Sequence, residues 1–198
     1  MALIQSTVYL GTPLLSVNPE TLVIARKYLV PPKQQADFAY LAAQPIWQGQ
    51  KLKVLLAHVE LANYNSELVN WPLDDKIYQN CVLSPVINPS SIIHHPSANF
   101  AWRRLLWEEF YPRIRHESSP EDATQIVLKH LHEHVKIATL PNLPHDVPEI
   151  WRKQITDEAG FEIVCVAALR SVGVPARLDT DGHAEFYDGS KWQLAPPL

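Results

Sequence analysis

Only two cysteines occur in the 198 residues, too few for the disulfide framework of a small secreted fold. Cys81 and Cys165 each sit in an apolar stretch, with no second Cys or His at metal-ligand spacing. They read as buried small hydrophobes. Long apolar runs are also missing: none reaches the roughly 18 to 20 residues that cross a bilayer. Met-Ala-Leu-Ile-Gln at the start has neither the basic region nor the long apolar stretch of a signal peptide. Nor is there an excess of charge of one sign. Seventeen basic and 21 acidic residues leave a net charge of −4 and a pI near 6.1, which removes the global electrostatic case for nucleic acid or an anionic membrane. No internal repeat or low-complexity tract is present. A soluble, cytoplasmic protein is expected.

What the chain does have is enough apolar material, 46%, for a core without disulfides or metals. At this length about 70% of the unfolded surface is buried on folding. One compact unit is expected, in three stretches. Residues 1–33 mix short β-like runs (Ser6 to Leu10, Leu22 to Ala25) with turn signals at Gly11-Thr12-Pro13 and Asn18-Pro19, and read as an irregular, extended segment. Residues 34–117 read as mostly helical, with two helices parted near Pro45 to Gly49 and an extended, proline-punctuated piece from Pro85 to Pro96. Residues 118–198 form the third stretch.

Three helices stand out. Ser97 is placed to cap one that runs to Tyr111, with Phe100, Leu105, Leu106 and Phe110 inward and Pro112 ending it. Ser119-Pro120-Glu121-Asp122 combines a cap, a proline at the first helical position and acids on the positive dipole end. That helix carries Ala123, Ile126, Val127, Leu131 and Val135 at helical spacing. The third starts at Thr156-Asp157-Glu158, with Thr156 as its cap, and carries Phe161, Val164, Cys165, Ala168, Leu169 and Val172. Gly173 and Pro175 stop it. Extended Ala176 to Asp179 follows, then a turn at Asp181-Gly182, strand Ala184 to Tyr187, a turn at Asp188-Gly189-Ser190 and strand Lys191 to Leu194. A helix followed by antiparallel strands defines the class as α+β.

The phrase Ala167-Ala168-Leu169-Arg170-Ser171-Val172-Gly173-Val174-Pro175-Ala176-Arg177 resembles the signature of transglutaminase-like domains, the superfamily of papain-like thiol acyl-transferases. There a core helix ends in such a phrase before a sheet. Glu185-Phe186-Tyr187-Asp188-Gly189-Ser190-Lys191-Trp192 resembles the strand pair that follows, and Val82-Leu83-Ser84-Pro85 through Arg103 looks loosely like the lead-in of large bacterial members. The resemblance covers residues 118–198 and implies a transglutaminase-like core behind a mostly helical N-terminal half.

The family's chemistry does not carry over residue by residue. Counting back from Gly173, the nucleophilic Cys falls at Glu158. Cys165 lies two helical turns, about 10 Å, deeper. The family's His falls at Asp181, or at His183 if the register shifts by two, and its orienting Asp falls at Ala195. The resemblance therefore implies a degenerate triad, whose cleft binds a peptide-like or small amide ligand or a protein partner. Asp157, Glu158, His183 and Trp192 are the expected ligand contacts. The alternative is a repurposed enzyme acting on an amide or amino-acid-derived molecule. It would use Glu158 with Asp181 or His183 as general acid and base or as metal ligands.

Blander readings stand beside these. Asp157 and Glu158 suit a helix start, Asp181-Gly182 suits a turn, and His183 suits an exposed strand end. His130 and His134 have metal-ligand spacing, but a third ligand is missing from their helix, with His132 and Glu133 pointing away, so a structural role is expected. His94-His95 is a weaker candidate still. Trp102-Arg103-Arg104-Leu105-Leu106-Trp107 interleaves aromatic and basic residues as a nucleic-acid surface does, but Glu108, Glu109 and Glu117 offset its charge. No cofactor, metal, nucleic acid or membrane is expected. The chain stops at Ala195-Pro196-Pro197-Leu198, where the family continues into further strands. Either a longer protein or a partner covering an open sheet edge is expected, the latter as a homo- or hetero-oligomer.

Overall fold

The computed structural model describes residues 15–69, 71, 73–87 and 100–196. The first helix among the described residues lies where a β-like run, Leu22 to Ala25, is expected. Asn18 caps α1 (Pro19–Tyr28) through a reciprocal box. Its Oδ1 accepts from the Thr21 N–H at 2.9 Å, and Thr21 Oγ1 accepts from the Asn18 N–H at 3.0 Å. Pro19 at the first helical position adds a preset φ. These caps outweigh the β preference of Leu22 to Ala25, which is worth only tenths of a kcal/mol per residue. Ser6 to Leu10 lies outside the described residues. Helices α2 (Gln35–Ala42) and α3 (Leu52–Val69) are parted by a 3₁₀ turn, Pro45–Trp47, and by Gly49 at φ 79°. Phe38, Leu41, Trp47, Leu52, Leu55 and Leu83 make the core of this half. Helix α4 (Asp75–Tyr78) runs on into a π-helical turn, Gln79–Leu83.

Helix α5 (Trp102–Ile114) differs from its expected bounds. Ala101 is its N-cap, Leu105 is exposed, and the helix runs two residues past Pro112. Pro112 forfeits only the bond to the carbonyl of Glu108, an exposed residue that water can serve. Ser97, His94, His95 and most of Pro85 to Pro96 lie outside the described residues.

Arg103 does not belong to a basic surface. It is 1% exposed and donates to His58 Nδ1, the carbonyls of Arg170 and Leu83, and that of Val82. Arg170, equally enclosed, donates to the carbonyls of Ala176, Ser84 and Val86. Burial lowers the two guanidinium pKa values to about 9 and about 10. Both remain charged at neutral pH and are solvated by backbone oxygens.

Because Arg103 donates to His58 Nδ1, the ring proton sits on Nε2, which donates to the Phe100 carbonyl at 2.8 Å. Burial, with Arg103 beside it, holds His58 well below the usual imidazole range. The folded state thus keeps His58 neutral, whereas the unfolded state takes up a proton below about pH 6.5. Stability from this source is full above that pH and falls below it, by up to about 1.4 kcal/mol per pH unit. Urea unfolding at pH 7.5 and pH 5.5 is expected to show His58→Gln losing about 1 kcal/mol less than the parent over that interval. Equal losses would mean that His58 is not the group taking up the proton.

Helix α6 (Pro120–His134) is capped by Ser119, whose Oγ accepts from Asp122 N. Beyond the elements expected from the sequence come a parallel pair, β1 (Lys136–Ile137) with β2 (Ile155–Thr156), and the helix that joins them, α7 (Val147–Lys153). Helix α8 (Glu158–Ser171) runs through the second core, with Val164 to Ser171 all buried. Its cap is Asp157; Thr156 instead donates to the Pro144 carbonyl. Gly173 at φ 89° turns the chain into an antiparallel sheet of β3 (Ala176–Leu178), β4 (Ala184–Tyr187) and β5 (Trp192–Leu194), ordered β3-β4-β5. The architecture is α+β and mostly helical. Among the described residues no helix is long and apolar enough to cross a membrane.

Candidate functional site: a carboxylate-lined cleft at the head of the core helix

The start of α8, the β3–β4 turn and the end of β5 border one cavity of about 580 Å³, within the range of small-ligand sites. Glu158 and Glu162 stand one helical turn apart, so both project from the same face of α8. Glu162 is tied down twice. Its Oε2 accepts from the Ala184 N–H at 2.7 Å, and its Oε1 lies 3.6 Å from His183 Nδ1. Opposite, Asp179 Oδ1 accepts from the N–H groups of Asp181 and His183, and Gly182 at φ 94° closes the turn. This turn delivers Asp181 and His183 to the rim.

Leu128 and His132 of α6, Ile137, Phe161, and the Leu194-Ala195-Pro196 tail complete the wall. The His132 ring lies 4.5 Å from that of Phe161. The wall holds three carboxylates, two imidazoles and several apolar groups, with no Lys or Arg among its lining residues. In a partly enclosed site such a wall attracts a protonated amine or an N–H donor and repels anions. Cys165 lies at the bottom, 1% exposed. Burial, reinforced by the Glu162 carboxylate, pushes its thiol far above the ordinary cysteine range. The nucleophilic form is the thiolate, and this site disfavours it.

Of the residues singled out in the sequence, Glu158, Asp181 and His183 line the cavity. Asp157 and Trp192 do not. Asp157 Oδ1 accepts from the Gly160 N–H at 2.8 Å and pairs with His145 Nε2 at 2.8 Å. Burial opposes ionisation of Asp157, but these two contacts outweigh it and hold its carboxyl below the usual range. Trp192 stacks under the Arg177 guanidinium, 4.0 Å from the ring centre, and against Tyr187. Glu162 and His132 were not anticipated. Glu162 was readable as the same-face neighbour of Glu158, whereas His132 gave no signal of its own.

Among the described residues, the group of three His, Cys, Asp or Glu ligand atoms within 4.8 Å of one another is His130, Glu133 and His134, outside the cleft. Glu158, Asp181 and His183 do not converge to that degree. Glu133, read as turning away from the histidines with His132, instead joins them, because it lies three residues from His130 on one helical face.

Fold and site together define an α+β protein with an acidic cleft at the N-terminus of a buried helix. Compared with known protein families, curated proteins and solved structures, the chain matches none.

Proposed function

We propose that the chain is a non-thiol, transglutaminase-like protein whose cleft binds a peptide-like or small amide ligand, or an equivalent segment of a partner protein. The observation that carries this reading is the meeting of Glu158, Glu162, Asp181 and His183 around one cavity whose only thiol is sealed at its floor. The carboxylates accept from amide or ammonium N–H groups, and Phe161, Leu128 and Leu194 receive an apolar side chain. With three carboxylates and no Lys or Arg among the lining residues, ligands bearing a positive charge are favoured over their acidic counterparts.

The test is a panel of blocked amino-acid amides with lysyl, leucyl and glutamyl side chains, followed by amide chemical shifts. Binding of the lysyl and leucyl probes is expected to move resonances of Glu158 to Glu162 and Gly182 to Ala195, with the glutamyl probe weakest. Glu158→Gln is expected to weaken the lysyl probe by about tenfold, near 1.4 kcal/mol, and to leave the fold intact. Uniform silence across the panel would sink the reading.

One observation favours a second reading. The Glu162–His183 contact is a carboxylate–imidazole pair at the rim, the arrangement that orients a general base. In a repurposed enzyme of this kind, Glu158 with Asp181 or His183 would supply the acid and base. Turnover of an amide that falls by roughly 10²- to 10⁴-fold in Glu158→Gln would replace the binding reading with this one.

A further inference from the structure

We propose a transition-metal site at the C-terminal end of α6, formed by His130, Glu133 and His134 and separate from the cleft. The three residues are at positions i, i+3 and i+4 of one helix, and their ligand atoms lie within 4.8 Å of one another. Proximity alone would not distinguish a site from a crowded helix end. The outer contacts of the two imidazoles do.

His130 Nε2 meets Glu109 Oε1 of α5 at 2.8 Å. A carboxylate oxygen only accepts, so the ring proton sits on Nε2 and the lone pair on Nδ1. His134 Nδ1 meets the His130 carbonyl at 2.9 Å. The same reasoning puts that proton on Nδ1 and leaves the lone pair on Nε2. Each histidine thus has one nitrogen anchored to an oxygen and the other free to coordinate, as in carboxylate–histidine–metal arrangements.

The His130 and His134 rings pack on each other with centroids 3.8 Å apart, and Trp151 borders both. Glu109 is paired with Arg113 at 2.5 Å, which offsets the guanidinium charge and lowers the Glu109 carboxyl. Phe110 and Trp151 flank the His130 ring and hold it in place. His130 is buried while Glu133 and His134 are exposed. The two histidines are therefore held, and the exposed Glu133 is the ligand that swings the short distance that metal bonds of about 2.0–2.2 Å require. Two imidazoles and one carboxylate suit Zn²⁺, Co²⁺, Ni²⁺ or Cu²⁺ rather than Mg²⁺ or Ca²⁺, which prefer all-oxygen shells. Three protein ligands at an exposed helix end leave further coordination positions for water or a ligand. His132, between the two histidines, faces the cleft and takes no part.

The experiment is isothermal titration of Zn²⁺ into the untagged full chain, repeated with Mg²⁺. One equivalent of Zn²⁺ is expected to bind saturably, and Mg²⁺ not at all. His134→Ala and Glu133→Gln, both at exposed positions that leave the core intact, should each weaken Zn²⁺ by at least tenfold. Glu109→Ala should weaken it by roughly ten- to a hundredfold through the outer contact alone. His132→Ala and His183→Ala should leave the affinity within twofold of the parent. No saturable Zn²⁺ binding at millimolar metal would overturn the proposal. So would binding that survives His134→Ala and Glu133→Gln, or that is lost through His132 or His183 instead.

Discussion

Replacing Arg103 with Met is expected to cost about 3–5 kcal/mol of stability, enough to unfold a large fraction of a marginally stable chain. Two effects oppose each other. Removing the guanidinium relieves the cost of burying a charge that has no carboxylate partner among the described residues. It also strips donors from His58 Nδ1 and from the carbonyls of Val82, Leu83 and Arg170. Each buried acceptor left unpaired costs about 1–3 kcal/mol. Four of them outweigh the relief, because water has no route to a site where Arg103 is 1% exposed. Arg103→Lys is expected to recover less than half of the loss, since a point-charge ammonium cannot reproduce the planar fork. Urea unfolding followed by tryptophan fluorescence measures both. A loss below about 1 kcal/mol for Arg103→Met would show that the carbonyls find other donors.

The consequence for the site runs through Arg170. Arg103 holds the Arg170 carbonyl at the end of α8, and Arg170 holds Ser84 and Val86 of the N-terminal half against Ala176 of β3. The two arginines therefore join the halves and fix the axis of the helix whose other end carries Glu158 and Glu162. Asn65 adds a third tie, donating to the Ser171 carbonyl at 2.7 Å. A cleft with its polar groups on a pinned helix is pre-organised, so little of the binding energy goes into ordering it.

The parts of the fold that were readable are those set by local rules. Ser119-Pro120 started α6, Gly173 and Pro175 ended α8, and Asp181-Gly182 and Asp188-Gly189 turned the chain between strands, because each depends on residues within one turn. The composition of Leu22 to Ala25 by itself signals a strand, and the Asn18–Thr21 box beside it makes the stretch helical instead. The β1–β2 pair escaped because each strand is two residues long and its partner is remote in sequence. The inward turn of Arg103 escaped for a related reason. Its acceptors, on residues 58, 82, 83 and 170, converge only in three dimensions. Within the cleft, Glu158, Asp181 and His183 were reached through a resemblance to a family signature. Glu162 was legible from helical spacing alone, four residues beyond Glu158. Glu133 is legible in the same way, three residues beyond His130, although the sequence reading has it point away with His132.

Gly160→Ala is expected to destabilise the protein by about 2–4 kcal/mol, against the usual rule that alanine in a helix is favoured over glycine by about 1 kcal/mol. The reason is contact. A Cβ at Gly160 would fall 1.9 Å from Thr156 Oγ1 and 3.1 Å from both His145 Cδ2 and the Pro144 carbonyl oxygen. Thr156 cannot simply rotate away, because its hydroxyl is buried and donates to that carbonyl at 2.7 Å. Relief requires either breaking this bond or moving α8 away from β2 and the loop before α7. The second route would shift the first turn of α8, displacing Glu158 and Glu162 relative to Asp181 and His183. The measurement is a double-mutant cycle by urea unfolding. With Thr156→Ala as background, the cost of Gly160→Ala is expected to fall by at least 1 kcal/mol, since the atom it collides with is gone. If Gly160→Ala instead stabilises the parent by about 1 kcal/mol, ordinary helix propensity wins. In that case the close approach that seats the head of α8 against Thr156 is not present in solution.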